Sequence, residues 1–167
     1  MDMLSQDNAS SPLPERARTV VAAAARLGLT LDVHTTTQTT RTAEEAAVVH
    51  GVAVGAIVKS LIFEGAETGK PYLFLVSGQN RVNETGVTAI LGEGLKRPNA
   101  ARVRELTGFA IGGIPPFGHA TDMATYIDQD LMAFDVVWAA AGTPFANFPI
   151  APQDLVQALK APLIAVT

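Results

Sequence analysis

A chain of 167 residues suits one domain with its own core, and 48% hydrophobic against 17% charged residues excludes a disordered polymer. The absence of cysteine removes disulfides, Cys-ligated zinc, iron–sulfur clusters and thiol nucleophiles together, and fits a reducing cytoplasm. A net charge of −4 argues against a general nucleic-acid binder, DNA included. The charge is uneven, however. Residues 81–104 hold Arg81, Lys96, Arg97, Arg102 and Arg104 against Glu84 and Glu93, whereas residues 122–135 hold Asp122, Asp128, Asp130 and Asp135 and no basic residue.

Residues 1–11 read as a polar, flexible tail without the apolar stretch of a signal peptide, leaving residues 12–167 as a single domain. No apolar run approaches the roughly 18 residues of a membrane span, so a cytoplasmic protein with no membrane partner is expected. An Ala-rich helix is expected from about Pro14 to Leu27, stopped by Gly28. Leu29 to Val33 is a short strand candidate, and the polar run Thr35 to Thr40 a loop. Thr42-Ala43-Glu44-Glu45 is a capping box that opens a helix to about His50.

Ile57-Val58-Lys59-Ser60-Leu61-Ile62-Phe63 is an apolar, β-branched strand with a lysine inside it. Alternation puts Lys59 on one face with Ile57, Leu61 and Phe63, and Val58, Ser60 and Ile62 on the other. A buried ammonium needs a partner, so the lysine either snorkels to the surface or projects into a polar cavity where an anion meets it.

Glu64 to Lys70 reads as a hairpin connection, and Pro71 to Val76, apolar on both faces, as a central strand. After a loop at Ser77 to Asn83, Asn83 and Asn99 cap two helices, Glu84 to Leu91 and one ending at Gly108. Gly112-Gly113-Ile114-Pro115-Pro116-Phe117-Gly118 is neither helix nor central strand. Strands follow at Ala124 to Ile127, Asp135 to Ala141 and Phe145 to Ile150, the last two separated by Gly142-Thr143-Pro144, and a helix at Pro152 to Lys160. The pattern is α+β with a mostly antiparallel sheet.

Several chemistries are missing. There is no Walker loop, dinucleotide fingerprint or nucleophile elbow. His34, His50 and His119 show no helical metal spacing; His50 suits a helix end, while His34 and His119 are candidates to face a pocket. Asp128-x-Asp130 lacks the rest of a calcium loop and reads as a turn or cap. What remains is Lys59, the rigid loop 112–118 and the turn 142–144. Glycine lets backbone approach a ligand closely, and proline fixes the loop that presents it. Together they point to a small anionic or ester-bearing group.

Three stretches resemble the YbaK/EbsC family: Ala56 to Phe63 around Lys59, Leu106-Thr107-Gly108-Phe109 leading into Gly112 to Gly118, and Ala141-Gly142-Thr143-Pro144. Thr42 to Ala47 fits the family's second helix, and the likeness spans about residues 20–165. The family is similar to the editing domain inserted in bacterial prolyl-tRNA synthetases. The resemblance implies a barrel-like, mostly antiparallel mixed sheet flanked by helices. It also implies a metal-free, cofactor-free aminoacyl-tRNA deacylase that hydrolyses the ester of a mischarged tRNA, most often tRNA-Pro. The implied partners are the aminoacylated 3′ end and a prolyl-tRNA synthetase.

Lys59 then matches the lysine that holds the terminal nucleotide or reacting ester. Gly112, Gly113, Ile114, Pro115, Phe117, Gly118, Gly142, Thr143 and Pro144, with His34, are the expected substrate-binding residues. Water activation is expected from the substrate's own ribose hydroxyl and backbone groups. Several relatives carry histidine where this chain has Phe145, which leaves Cys-, Ala- and Ser-type substrates open. Two other readings stay open: a module that binds aminoacyl-tRNA ends or a synthetase without hydrolysis, and a small-molecule esterase.

Overall fold

A computed structural model describes residues 13–167; the tail expected over residues 1–11 lies outside the described residues. The architecture is α+β. A curled, mixed five-stranded sheet in the order β4-β2-β3-β5-β8 forms a half barrel, and a three-stranded sheet in the order β1-β7-β6 stands beside it. The strands are β1 His34–Thr35, β2 Val58–Gly65, β3 Pro71–Ser77, β4 Leu95–Lys96, β5 Ala124–Asp128, β6 Val137–Ala140, β7 Ala146–Ile150 and β8 Leu163–Ile164. The helices are α1 Glu15–Arg26, α2 Ala43–His50, α3 Glu84–Leu91, α4 Ala100–Thr107 and α5 Pro152–Leu159. β3 pairs in parallel with β5, and β5 with β8; the other pairings of named strands are antiparallel.

β2 and β3 form the expected hairpin, with Lys59 opposite Val76. Alternation along both strands divides two cores. Val58 and Ile62 of β2 and Leu73 and Leu75 of β3 face the larger core, which also holds Val20, Ile127, Leu131, Val137, Phe148 and Leu155. Phe63, Tyr72, Phe74 and Val76 face a smaller one with Val87, Ile164 and Val166. β3 is thus buried on both faces, as its unbroken apolar run requires. Each fully buried aliphatic or aromatic side chain contributes about 1.5–3 kcal/mol. Lys59 shares the side of Leu61 and Phe63 but lies beyond the edge of the smaller core.

Local signals set the helix starts. The capping box forms: Thr42 Oγ1 accepts from the Glu45 N–H, and Glu45 reaches back to the Thr42 N–H. Asn83 and Asn99 cap α3 and α4 through their side chains. Leu29 to Val33 is not a strand. Its apolar residues pack against the larger core without a ladder partner, and pairing begins only at His34 opposite Asn147 and Thr35 opposite Ala146.

The hairpin loop is fastened by one buried carboxylate. Glu93 accepts from the Thr68 N–H at 3.0 Å, the Glu67 N–H at 3.0 Å, the Thr68 hydroxyl at 2.8 Å and the Tyr72 hydroxyl at 2.7 Å. A Cβ at Gly65 would lie 2.3 Å from Glu93 Oε1, so any side chain there would push the carboxylate off these donors. The Thr68 N–H above all, then the Tyr72 hydroxyl, hold the Glu93 pKa down at about 2. A carboxyl depressed on folding stabilises the fold above its unfolded value near 4.5, and that contribution is lost as pH falls through about 2. Glu93→Gln is therefore expected to lower Tm at pH 7, and its Tm should fall less between pH 4.5 and 2 than the wild type's, read by circular dichroism.

Candidate active site

β2 carries Lys59 into a cleft of about 990 Å³. One wall is the start of α2 with Arg41, Thr42 and Glu44; another is the loop after β3, from Gly78 to Val82. Ile111, Gly112 and Ile114 close a third side, and Trp138, Ala140 and Asn147 reach it from the smaller sheet. An isolated parallel bridge from Ile57 to Trp138 joins the two sheets at this point.

The Lys59 ammonium donates to the carbonyl of Asn80. Burial pushes its pKa below the ordinary lysine value; the Glu44 carboxylate opposes this, Arg81 adds to it and Asp128 opposes it. An ammonium has three donors, so two remain for a ligand. Arg41, Arg81 and Arg97 also line the cleft, against Glu44 as its only carboxylate among the lining residues. Arg97 is paired with Glu84 at 2.9 Å. Ser60, next along β2, has a buried hydroxyl oxygen with no hydrogen-bond partner.

The two loops meet each other at backbone distance. A Cβ at Gly113 would lie 2.8 Å from Thr143 Cα. Gly142 has φ +94°, a conformation that L side chains rarely adopt, and its Cβ position lies 2.8 Å from the Arg16 carbonyl of α1. The turn is strapped from the other side: the N–H and hydroxyl of Thr40 both donate to the Pro144 carbonyl, at 2.7 and 2.8 Å. The Phe145 N–H donates to Thr143 Oγ1 at 2.8 Å.

Of the residues singled out from sequence, Lys59, Gly112 and Ile114 line the cleft directly. Gly113, Gly142, Thr143 and Pro144 are not among the lining residues: Gly113 packs on the backbone of Gly142 and Thr143, and Pro144 is strapped to Thr40. Pro115, Phe117 and Gly118 anchor the loop: Pro115 accepts from His119 Nε2 at 2.7 Å, Phe117 packs on Phe148 with centroids 5.9 Å apart, and Gly118 sits against Ala23. Burial lowers the His119 pKa, partly countered by that bond to Pro115.

His34 is exposed, pairs with Asp32 at 2.9 Å and sets its ring edge against Trp138 at 5.0 Å; it is not among the lining residues. His50 ends α2, as its spacing suggests, but also stacks on Trp138 at 3.9 Å and bonds Asn147 Oδ1 at 3.0 Å. Asn80, Arg41, Trp138 and Asn147 were not picked out from sequence. Their only signals there were a polar loop, a residue before a cap and two alternating strand positions.

Among the described residues, no group of three or more His, Asp or Glu side chains is placed to hold a metal ion, and no helix is long and apolar enough to cross a membrane.

Residues 37–158 match the model of a family described as the aminoacyl-tRNA editing domain. The chain belongs to this family. The editing domain is 45% identical, with a TM-score of 0.87, to a solved structure described as a candidate trans-editing enzyme for prolyl-tRNA synthetase, over 93% of this chain and 99% of that one. It is 29% identical to the hypothetical protein APE2540, with a TM-score of 0.81 over 91% of this chain and 99% of that one. The uncharacterized protein YwhH of Bacillus subtilis (strain 168) is 32% identical over 114 residues, 68% of this editing domain and 72% of that protein. This is the family that the Lys59 strand and the two glycine loops resemble.

Proposed function

We propose that the editing domain is a trans-acting deacylase that hydrolyses the ester of a mischarged tRNA, with tRNA-Pro bearing a small wrong amino acid as its substrate. The observation that carries this reading is the half-buried Lys59 ammonium, seated on a carbonyl with donors to spare in a cleft that Gly112 and Ile114 of the glycine loop help to wall. Ester hydrolysis develops an oxyanion, and preorganised donors aimed at it are the largest single source of acceleration in such reactions. Lys59 supplies a charged donor there. The lining residues include no histidine. The attacking water is then activated by the substrate's own ribose hydroxyl and by backbone groups. Arg41 and Arg81 offer charge to phosphates of the 3′ end.

The logic of a second pocket is physical. A methylene is worth about 1–3 kcal/mol in binding, so a proline-sized synthetase site discriminates weakly against smaller side chains. A second site with unyielding walls that admits only the smaller residue completes the selection. The layer of Gly113, Gly142, Thr143 and Pro144 supports that role here, because backbone packed against backbone cannot swing aside.

The test is a panel of tRNA-Pro charged with alanine, cysteine, serine or proline, incubated with the pure protein. Release of one or more of the three wrong amino acids, with Pro-tRNA-Pro spared, is expected. If all three wrong esters survive excess protein while the tRNA still binds, the chain is a non-catalytic binder of aminoacyl ends instead.

A further inference from the structure

Lys59 owes its direction to a chain of polar contacts that begins in the core. Asp128, at the end of β5, is 1% exposed. One of its oxygens accepts from the Ser77 N–H at 3.0 Å and from Asn80 Nδ2 at 2.8 Å; the other accepts from the Asp130 N–H at 2.9 Å. Asn80 Nδ2 also donates to Asp130 Oδ2 at 2.8 Å. Both hydrogens of one carboxamide are therefore spent on two carboxylates. This fixes which way the amide faces, because a carboxylate does not donate to the amide oxygen. With its side chain held on two sides, Asn80 presents its own carbonyl to the Lys59 ammonium, the one hydrogen-bond acceptor Lys59 has among the described residues.

We propose that Asn80 is a positioning residue: gripped between Asp128 and Asp130, it seats the Lys59 ammonium so that its free donors face the cleft. Its activity arm rests on the deacylase reading. Asn80 does not touch the ester; it acts through Lys59. The charged groups around the lysine come from three elements: Glu44 from α2, Arg81 from the loop that carries Asn80, and Asp128 from β5. Removing the seat leaves this field in place and frees the side chain to swing toward water.

The experiment compares Asn80→Ala and Asn80→Asp with wild type. Asn80→Ala, with an unchanged circular dichroism spectrum, should lower kcat for deacylation by about 10–100-fold, the usual scale for a group that orients a reacting one, with a smaller change in KM. In a Lys59→Ala background the same substitution should have no further effect in single-turnover assays. Asn80→Asp sets a third carboxylate against two others, which raises its pKa, so its rate relative to wild type should recover as pH is lowered.

A readout independent of activity is the 13C titration of Lys59 Cε. In wild type it should titrate below the ordinary lysine value, and in Asn80→Ala it should move toward that value. Wild-type rates in Asn80→Ala, an equal loss on the Lys59→Ala background, or an unchanged Lys59 titration would each overturn the proposal. A wild-type protein that deacylates nothing defeats the deacylase reading, while the titration still decides whether Asn80 seats the lysine. Should Asn80→Ala fail to fold, Asn80→Ser, which keeps one donor toward the carboxylates, replaces it in every arm.

Discussion

Lys59→Ala is expected to lower the single-turnover rate of deacylation by about 10²–10³-fold, the cost of removing one oxyanion donor. The fold should tolerate the change. Burial penalises the ammonium, and its one hydrogen bond among the described residues is to a carbonyl at the cleft wall. Thermal melting should therefore give an unchanged or slightly raised Tm. Lys59→Arg keeps the charge but replaces a compact ammonium by a planar fork that does not fit the same seat, so recovery should be partial. The pH profile adds a second check. The active form is the charged one, and burial lowers its pKa. The enzyme-dependent rate, corrected for spontaneous ester hydrolysis, should fall as pH rises through a value below that of an ordinary lysine, whereas residual activity of Lys59→Arg should persist beyond it. A Lys59→Ala protein that deacylates at the wild-type rate would remove the lysine from the mechanism.

Gly113→Ala is the second large effect, and its signature is the reverse: stability and activity fall together. The new methyl would lie 2.8 Å from Thr143 Cα and 2.9 Å from Thr143 N. These are backbone atoms in a turn strapped to Thr40 by two bonds and pressed on α1 through Gly142. Neither side can rotate away. Overpacking of this kind costs about 1–3 kcal/mol. For a domain of this size that is a Tm loss of several degrees, measurable by calorimetry. The two loops must part, and Gly112 and Ile114, which flank the site of the clash, form part of the cleft wall. Deacylation should drop beyond what the unfolded fraction explains, and discrimination against Pro-tRNA-Pro should weaken. Gly94→Ala, at a glycine without a positive φ where the added carbon would meet only Ala66 Cβ at 3.6 Å, an ordinary contact, is the control for a generic glycine effect.

Much of this molecule is readable from its residues. The Thr42–Glu45 capping box, the Asn83 and Asn99 caps, the two-faced strand Pro71–Ser77 and the side taken by Lys59 all follow from local rules of spacing and side-chain chemistry. The two-residue strands β4 and β8 do not, because so short a segment carries no periodicity and exists only through its partner. Leu29–Val33 has the pattern of a strand without the neighbour that would make it one. The site divides in the same way. Lysine in an apolar strand and glycine beside proline announce themselves within a few residues. Asn80 and Asp128 do not: 48 residues separate them, and their roles depend on the parallel pairing of β3 with β5. Asp128-x-Asp130 does cap a short 3₁₀ turn, as its spacing suggests, but its second task, gripping Asn80, is a long-range one.

That parallel pairing also orders how the site comes into being. The β2–β3 hairpin closes over a few residues and can bring Lys59 opposite Val76 early. The seat for the lysine requires Asp128, which arrives only after the chain has passed through α3, α4 and the glycine loop and returned to lie along β3. Parallel strands need such crossovers, and closing a long loop precedes any reward from the contact. During synthesis, a chain that has emerged only as far as the hairpin therefore carries the reactive ammonium without its holder. The site is assembled by long-range steps and not by the first local one.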